Sequence, residues 1–175
     1  ENNIEDVCRE LDVFGPDTTL ERNFITQACY SKADCGGVRT FGSDNLSATE
    51  VYNVRLIENV IVDIPGNVDG CHASRPAFGM GLYVDHYSRD VEARGNTIIS
   101  TTITGINYQR STGQIVDNVV YNASYGTAYA AHVSLGASET RASLSGNVLY
   151  ALGAQAWTLY SYSLSNFVSS DNNYF

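Results

Sequence analysis

Residues 81–99 read GLYVDHYSRDVEARGNTII, and residues 105–122 repeat the scheme as GINYQRSTGQIVDNVVYN. Each stretch opens on glycine and runs through a segment that alternates every second residue, Leu82-Tyr83-Val84-Asp85 and Ile106-Asn107-Tyr108-Gln109. A second short segment follows, and the unit closes on Asn with an apolar or β-branched pair behind it (Asn96-Thr97-Ile98, Asn118-Val119-Val120). Period-two alternation is the mark of a half-buried strand.

Working outward, the Asn unit occurs seven times: Asn3-Ile4, Asn23-Phe24-Ile25, Asn59-Val60-Ile61, the two above, Asn147-Val148-Leu149 and Asn173-Tyr174-Phe175. Successive Asn positions differ by 20, 36, 37, 22, 29 and 26 residues. A minimal period of just over twenty with insertions reads as a solenoid. The alternating first strand keeps step, in Leu11–Phe14, Val38–Phe41, Tyr129–His132 and Trp157–Tyr160. One coil is then strand, strand, Asn corner, strand. Each strand pairs with its equivalent one coil later, about 4.8 Å away, so no long crossover is needed. Asn tolerates left-handed backbone angles at such a corner, and stacked Asn side chains can hydrogen-bond in a ladder.

These segments resemble right-handed parallel β-helix proteins of the carbohydrate-active kind, which include polysaccharide lyases and glycoside hydrolases. The resemblance covers nearly the whole chain. It implies an all-β fold, a right-handed single-stranded parallel β-helix of about six to seven coils. Residues 1–175 are expected to form one domain, with inserted loops near 43–53 and 65–80. Both ends fall on an Asn unit with no amphipathic capping helix, so the solenoid is expected to continue at one or both ends.

Composition narrows the function. The 175 residues carry 10 basic and 19 acidic side chains, a net charge of −9, and Lys32 is the one lysine. A nucleic-acid role would want a basic stripe, and none is visible. No apolar run is long enough for a membrane span. Twelve tyrosines suit stacking on sugar rings. A polysaccharide or glycan partner and an extracellular, secreted location are the expectation.

Cys8 and Cys35 each fall three residues before a first strand, and Cys29 and Cys71 each follow a third strand. Equivalent positions one coil apart have separations suited to a disulfide, which favours Cys8–Cys35 with Cys29–Cys71. Cys29–Cys35 is the rival pairing, and four free thiols the alternative to both. Asn45-Leu46-Ser47 and Asn122-Ala123-Ser124 match glycosylation acceptors.

In register, the outward positions of the first strands gather Arg39, Tyr83, Asp85, Asn107, Gln109, His132 and Tyr160, with His86 and Arg110 directly behind. Asp85, His86 and Arg110 are the candidate catalytic residues. Arg39, Tyr83, Asn107, Gln109, His132 and Tyr160 are the candidate substrate-binding residues. The resembled enzymes often carry an acidic residue at the Asp85 position and a second Asp where this chain has His86. A glycosidase needs two carboxylates, and the column of Asp85 holds Phe41, Gln109, Phe14 and His132 instead. A partner carboxylate would have to come from a loop, through Asp69, Asp44 or Glu50. A lyase or epimerase needs a base and a cation for the substrate carboxylate, and His86 or Tyr83 with Arg110 and Arg39 supply them. A non-catalytic glycan-binding or adhesin solenoid would use the same face, and a structural stalk or filament would use it only for packing. No cofactor is expected, with calcium at Asn67-Val68-Asp69-Gly70 the open alternative, although that segment has far fewer oxygen ligands than a full calcium loop, and His72 and His86 lack a third ligand for a metal.

Overall fold

A computed structural model describes residues 2–4, 11–31, 34–45, 50–67, 77–123, 131–152, 157–163, 165 and 167–175. Cys8, Asp69, Cys71, His72, Ser124 and parts of both inserted loops lie outside them. The described residues form nineteen strands and three wholly parallel sheets of seven, six and six strands. The chain visits the sheets in strict rotation, so each strand pairs with the one three places on. The fold is a parallel β-helix with six full coils. We call sheet A the seven strands that follow the Asn corner, among them Asn23–Thr26, Val60–Ile64 and Thr97–Thr101. Sheet B holds the glycine-led strands such as Gly79–Asp85 and Thr104–Tyr108. Sheet C holds the connecting strands such as Val91–Arg94 and Thr112–Val116.

The interior is filled by every second residue of all three sheets. Ile25, Ile61, Ile98, Val120 and Leu149 form one column on sheet A, facing Leu82, Val84, Ile106, Val133 and Leu135 from sheet B. Leu56, Ala93, Ile115 and Leu144 close the third side. Burying an Ile or Leu of this kind contributes about 1.5–3 kcal/mol. Tyr108 is the largest fully buried side chain. Its hydroxyl donates to the Val91 carbonyl at 2.9 Å, and burial pushes the phenol pKa far up, which keeps it a donor.

The Asn ladder runs the full length of the helix. Asn23 Nδ2 donates to Asn59 Oδ1 at 3.0 Å, and Asn59, Asn96 and Asn118 pass the pattern on to Asn147 at 2.9–3.0 Å. The same amides donate backwards to main-chain carbonyls, as Asn96 does to Leu56 and Asn118 to Ala93. At the two ends the register corrects the sequence reading by one residue. Asn2, not Asn3, pairs with Asn23 at 2.8 Å, and Asn172, not Asn173, accepts from Asn147 at 2.7 Å.

The register of sheet B corrects two first-strand alignments as well. Ile106 stands opposite Val133, and Val133 opposite Leu159, so coils five and six are shifted from the expected Tyr129 and Trp157 starts. The disulfide joins Cys29 and Cys35, with Cα atoms 5.8 Å apart. The rival pairing is therefore the observed one, and Cys8–Cys35 with Cys29–Cys71 is excluded. The reason is local: six residues separate the pair across the connection from sheet A to sheet B, and Cys35 is itself the first residue of its strand.

Candidate functional site

The outward side of sheet B brings together Arg39, Tyr83 and Asn107 in one column and Asp85 beside Phe41 in the next. These residues face away from the core, yet they are not solvated. Asp85 is 2 % exposed, Tyr83 6 % and Asn107 7 %. Arg39 Nη2 donates to Asp85 Oδ2 at 2.8 Å, and its guanidinium lies 5.2 Å from the Phe41 ring centre and 5.4 Å from that of Tyr83. Such a sandwich suits the planar, weakly hydrated guanidinium. The Tyr83 hydroxyl donates to Asp34 at 3.2 Å. Burial, then the Asp85 and Asp34 carboxylates, raise the Tyr83 phenol well above its ordinary range, so it is a donor and not a base.

At the corner after this strand the network reaches solvent. Asp85 Oδ1 accepts the His86 backbone N–H at 2.8 Å and lies 3.8 Å from His86 Nδ1. His86 Nε2 meets Arg110 Nη1 at 3.3 Å. A guanidinium only donates, so Nε2 accepts and the ring proton sits on Nδ1, on the Asp85 side. Phe41 abuts the imidazole edge-on at 5.6 Å. Arg110 Nε stands 3.9 Å from Glu139 Oε2. Asp85, His86 and Arg110 thus form a chain from a buried carboxylate to a part-exposed cation.

The remaining expected residues scatter. Gln109 is in register with Gly136, one place beyond the Tyr108–Leu135 pair, and its amide oxygen occupies the space over that glycine. Tyr160 belongs to the Arg39–Tyr83–Asn107 column through Ser134, and not to that of Asp85. Its ring stacks on Trp157 at 5.6 Å. His132 is not on the outward face. It stands one place before Val133, where earlier coils carry Gly37, Gly81 and Gly105. A Cβ at Gly81 would lie 2.5 Å from Ile98 Cγ2, so that column points into the interior. The fully buried His132 ring faces the Tyr150 carbonyl at 2.8 Å and the Trp157 carbonyl at 3.2 Å, and burial lowers its pKa.

Sequence reasoning missed a second outward face. Sheet C carries an open cleft of about 660 Å³. One wall is the column Arg55, Glu92, Gln114, Ser143, in register from coil to coil. The other includes Asn53, Asp90 and Arg141, and Val168 sits at one end. Arg55, Asp90 and Gln114 are exposed, and among the described residues their side chains bond to no other side chain. The Asp90 backbone N–H donates to Thr112 Oγ1, and the Gln114 main-chain carbonyl accepts from Tyr108. Glu92 accepts from Arg94 at 2.6 Å, and Arg141 donates to the Ser138 carbonyl at 2.8 Å. The floor is low at Gly113, where a Cβ would lie 1.9 Å from the Val91 carbonyl oxygen. The signal was present: Asp90-Val91-Glu92-Ala93 alternates like a first strand, with Asp90 and Glu92 on the outward phase.

No protein-family model matches the chain, and neither a curated protein nor a solved structure matches it.

Proposed function

We propose that this β-helix binds an extracellular polysaccharide along the sheet C cleft. The observation that carries the reading is the in-register column Arg55–Glu92–Gln114–Ser143 in an open trough. Each coil offers one hydrogen-bonding group at about 4.8 Å spacing, which suits an extended chain of repeating polar units. The trough holds both charge signs and two uncommitted planar donors, Arg55 and Gln114, a mixture that fits hydroxyl-rich sugars. The Cys29–Cys35 bond is in keeping with an oxidising, extracellular location. The test is glycan-array binding of the intact chain, followed by affinity electrophoresis of the Arg55→Ala/Gln114→Ala variant. Retention by at least one polysaccharide and a drop of about tenfold or more in the variant are expected. A chain that binds no glycan, or a variant that binds unchanged, overturns the reading.

A second reading is favoured by the tautomer imposed on His86. The Nε2 lone pair is held by Arg110, and a uronate carboxylate that engaged Arg110 would free it as a base. The proton beside that carboxylate would pass to Nε2, the adjacent carbon–oxygen bond would break, and a carbon–carbon double bond would form as the leaving oxygen takes a proton from water. Ultraviolet absorbance of unsaturated uronates tests this: wild type yields product and His86→Ala does not, whereas silence from wild type on uronate polymers ends it.

A further inference from the structure

The charges that line the sheet C cleft are balanced and ordered along it. Arg55, Asp90, Glu92 and Arg141 give two of each sign, so the chain's net −9 lies wholly outside the cleft. Asp90 and Glu92 sit two residues apart in its middle, at the start of Val91–Arg94. Arg55 stands on the strand before, and Arg141 begins the strand two places beyond. The two cations are therefore about 14 Å apart along the helix, with both carboxylates between them.

Glu92 is at the centre of this arrangement. In register it has Arg55 on the strand before and Gln114 on the strand after. No ion pair joins it to Arg55 among the described residues. Its Oε1 accepts instead from Arg94 Nε at 2.6 Å. Arg94 is steadied in turn by Asp117, whose Oδ2 lies 3.5 Å from Nη1. Glu92 Oε2 has no hydrogen-bond partner among the described residues, and its side chain is 26 % exposed at the trough. An ionised carboxylate only accepts, and its hydrogen bonds are roughly twice as strong as neutral ones. Sugar hydroxyls are the donors that it lacks. A hydroxyl that donates to Glu92 leaves its ring neighbour to accept from Arg55 or Gln114 on either side.

We infer that the cleft takes a neutral polysaccharide and that Glu92 is the residue that selects it. This specificity rests on the sheet C cleft being the glycan site. An anionic polymer with a carboxylate on every sugar would find one cation near each end of the trough. Between them it would have to lay its charges beside Asp90 and Glu92. Like charges at contact distance repel even in solvent, and the surplus acid of the rest of the chain adds to that at low salt. A neutral glycan meets neither penalty and brings each carboxylate a donor. Specificity then comes from the charges that disfavour the wrong ligand as much as from the bonds to the right one.

Retention of the full chain on beads carrying xylan, mannan or β-glucan, against beads carrying polygalacturonate or alginate, tests the selection. Wild type is expected to bind at least one neutral polymer, and either polyuronate about tenfold more weakly or less. Glu92→Gln keeps the shape and removes the charge. Its affinity for the neutral polymer is expected to fall about tenfold, as for one hydrogen bond to a charged group, while its affinity for polyuronate rises. Asp90→Asn is expected to raise polyuronate affinity as well. Unfolding temperatures within about 2 °C of wild type show that both variants are folded. A polyuronate bound more tightly than every neutral polymer, and lost in Arg55→Ala/Gln114→Ala, overturns the inference while the cleft remains a glycan site. A folded Glu92→Gln chain that binds the neutral polymer unchanged overturns the role of Glu92. Retention on no polymer at all ends both the selection and the cleft reading beneath it.

Discussion

Sheets B and C belong to the same coils and present outward residues of similar chemistry, yet one face is locked and the other open. On sheet B the carboxylate of Asp85 is spent on Arg39 and a backbone N–H, and Arg39 is clamped between two rings. On sheet C the side chains of Arg55, Asp90 and Gln114 stand free over a trough. Outward phase in a β-helix therefore says where a side chain points, not whether solvent or a ligand can reach it. A polar face becomes available where its side chains do not satisfy one another.

The comparison can be broken or sharpened by substitution. The largest effect is expected from Arg39→Leu, which leaves the Asp85 carboxylate buried without its cation. Such losses run to about 3–5 kcal/mol, and calorimetry should show Tm falling by about 10 °C. A shift within about 2 °C would mean that the sheet B network is only surface decoration. Gly113→Ala comes next, because the new Cβ meets the Val91 carbonyl on the cleft floor. A destabilisation of about 1–3 kcal/mol should accompany weaker glycan retention, measured on the same preparation.

His132 offers a pH-dependent contrast beneath sheet B. Its pKa is lowered in the folded chain by burial, so the unfolded chain takes up the proton more readily. Stability from this residue is complete above about pH 6.5 and is lost as the pH falls below that, by at most about 1.4 kcal/mol per pH unit. Chemical denaturation between about pH 7 and pH 5 should show that slope, and His132→Gln should flatten it. The smallest effect on stability belongs to Arg55→Ala with Gln114→Ala. Unfolding is expected to change by about 0.5 kcal/mol or less while glycan retention collapses, the reverse of Arg39→Leu.

Much of the fold was legible because each coil repeats the same physical problem. An amide at the corner and an aliphatic residue two places on are required in every turn, and Asn59–Ile61, Asn96–Ile98 and Asn147–Leu149 all meet that demand. The same rule assigns the N-terminal end correctly, since Ile4 lies two places after Asn2 and pairs with Ile25, whereas at the other end Tyr174 takes the aliphatic place. Tandem Asn residues hid it: at 2–3 and 172–173 the amide alone is ambiguous. Coils five and six went astray for a different reason. A period-two pattern is blind to shifts of two or four residues, so Tyr129-Ala130-Ala131-His132 imitated a strand that runs Ala131–Leu135. That slip carried His132 from the interior to the surface. Asp90–Ala93 reads as the second strand of its coil, but the openness of the sheet C cleft above it depends on three-dimensional neighbours that the alternation does not encode.

The Asn ladder has a consequence for assembly of the helix itself. Each amide completes its bonding only when the next coil arrives in step, as Asn118 does when Asn147 docks. A coil seated one residue off would push Phe24, Val60 or Val119 into the polar corner and strand a buried amide, at about 1–3 kcal/mol for each unsatisfied group. Neighbouring coils interact only with one another in a solenoid, so that penalty is levied afresh at every step of growth. The ladder thus proofreads the winding of the chain, rejecting a slipped turn before the following one can be laid on it.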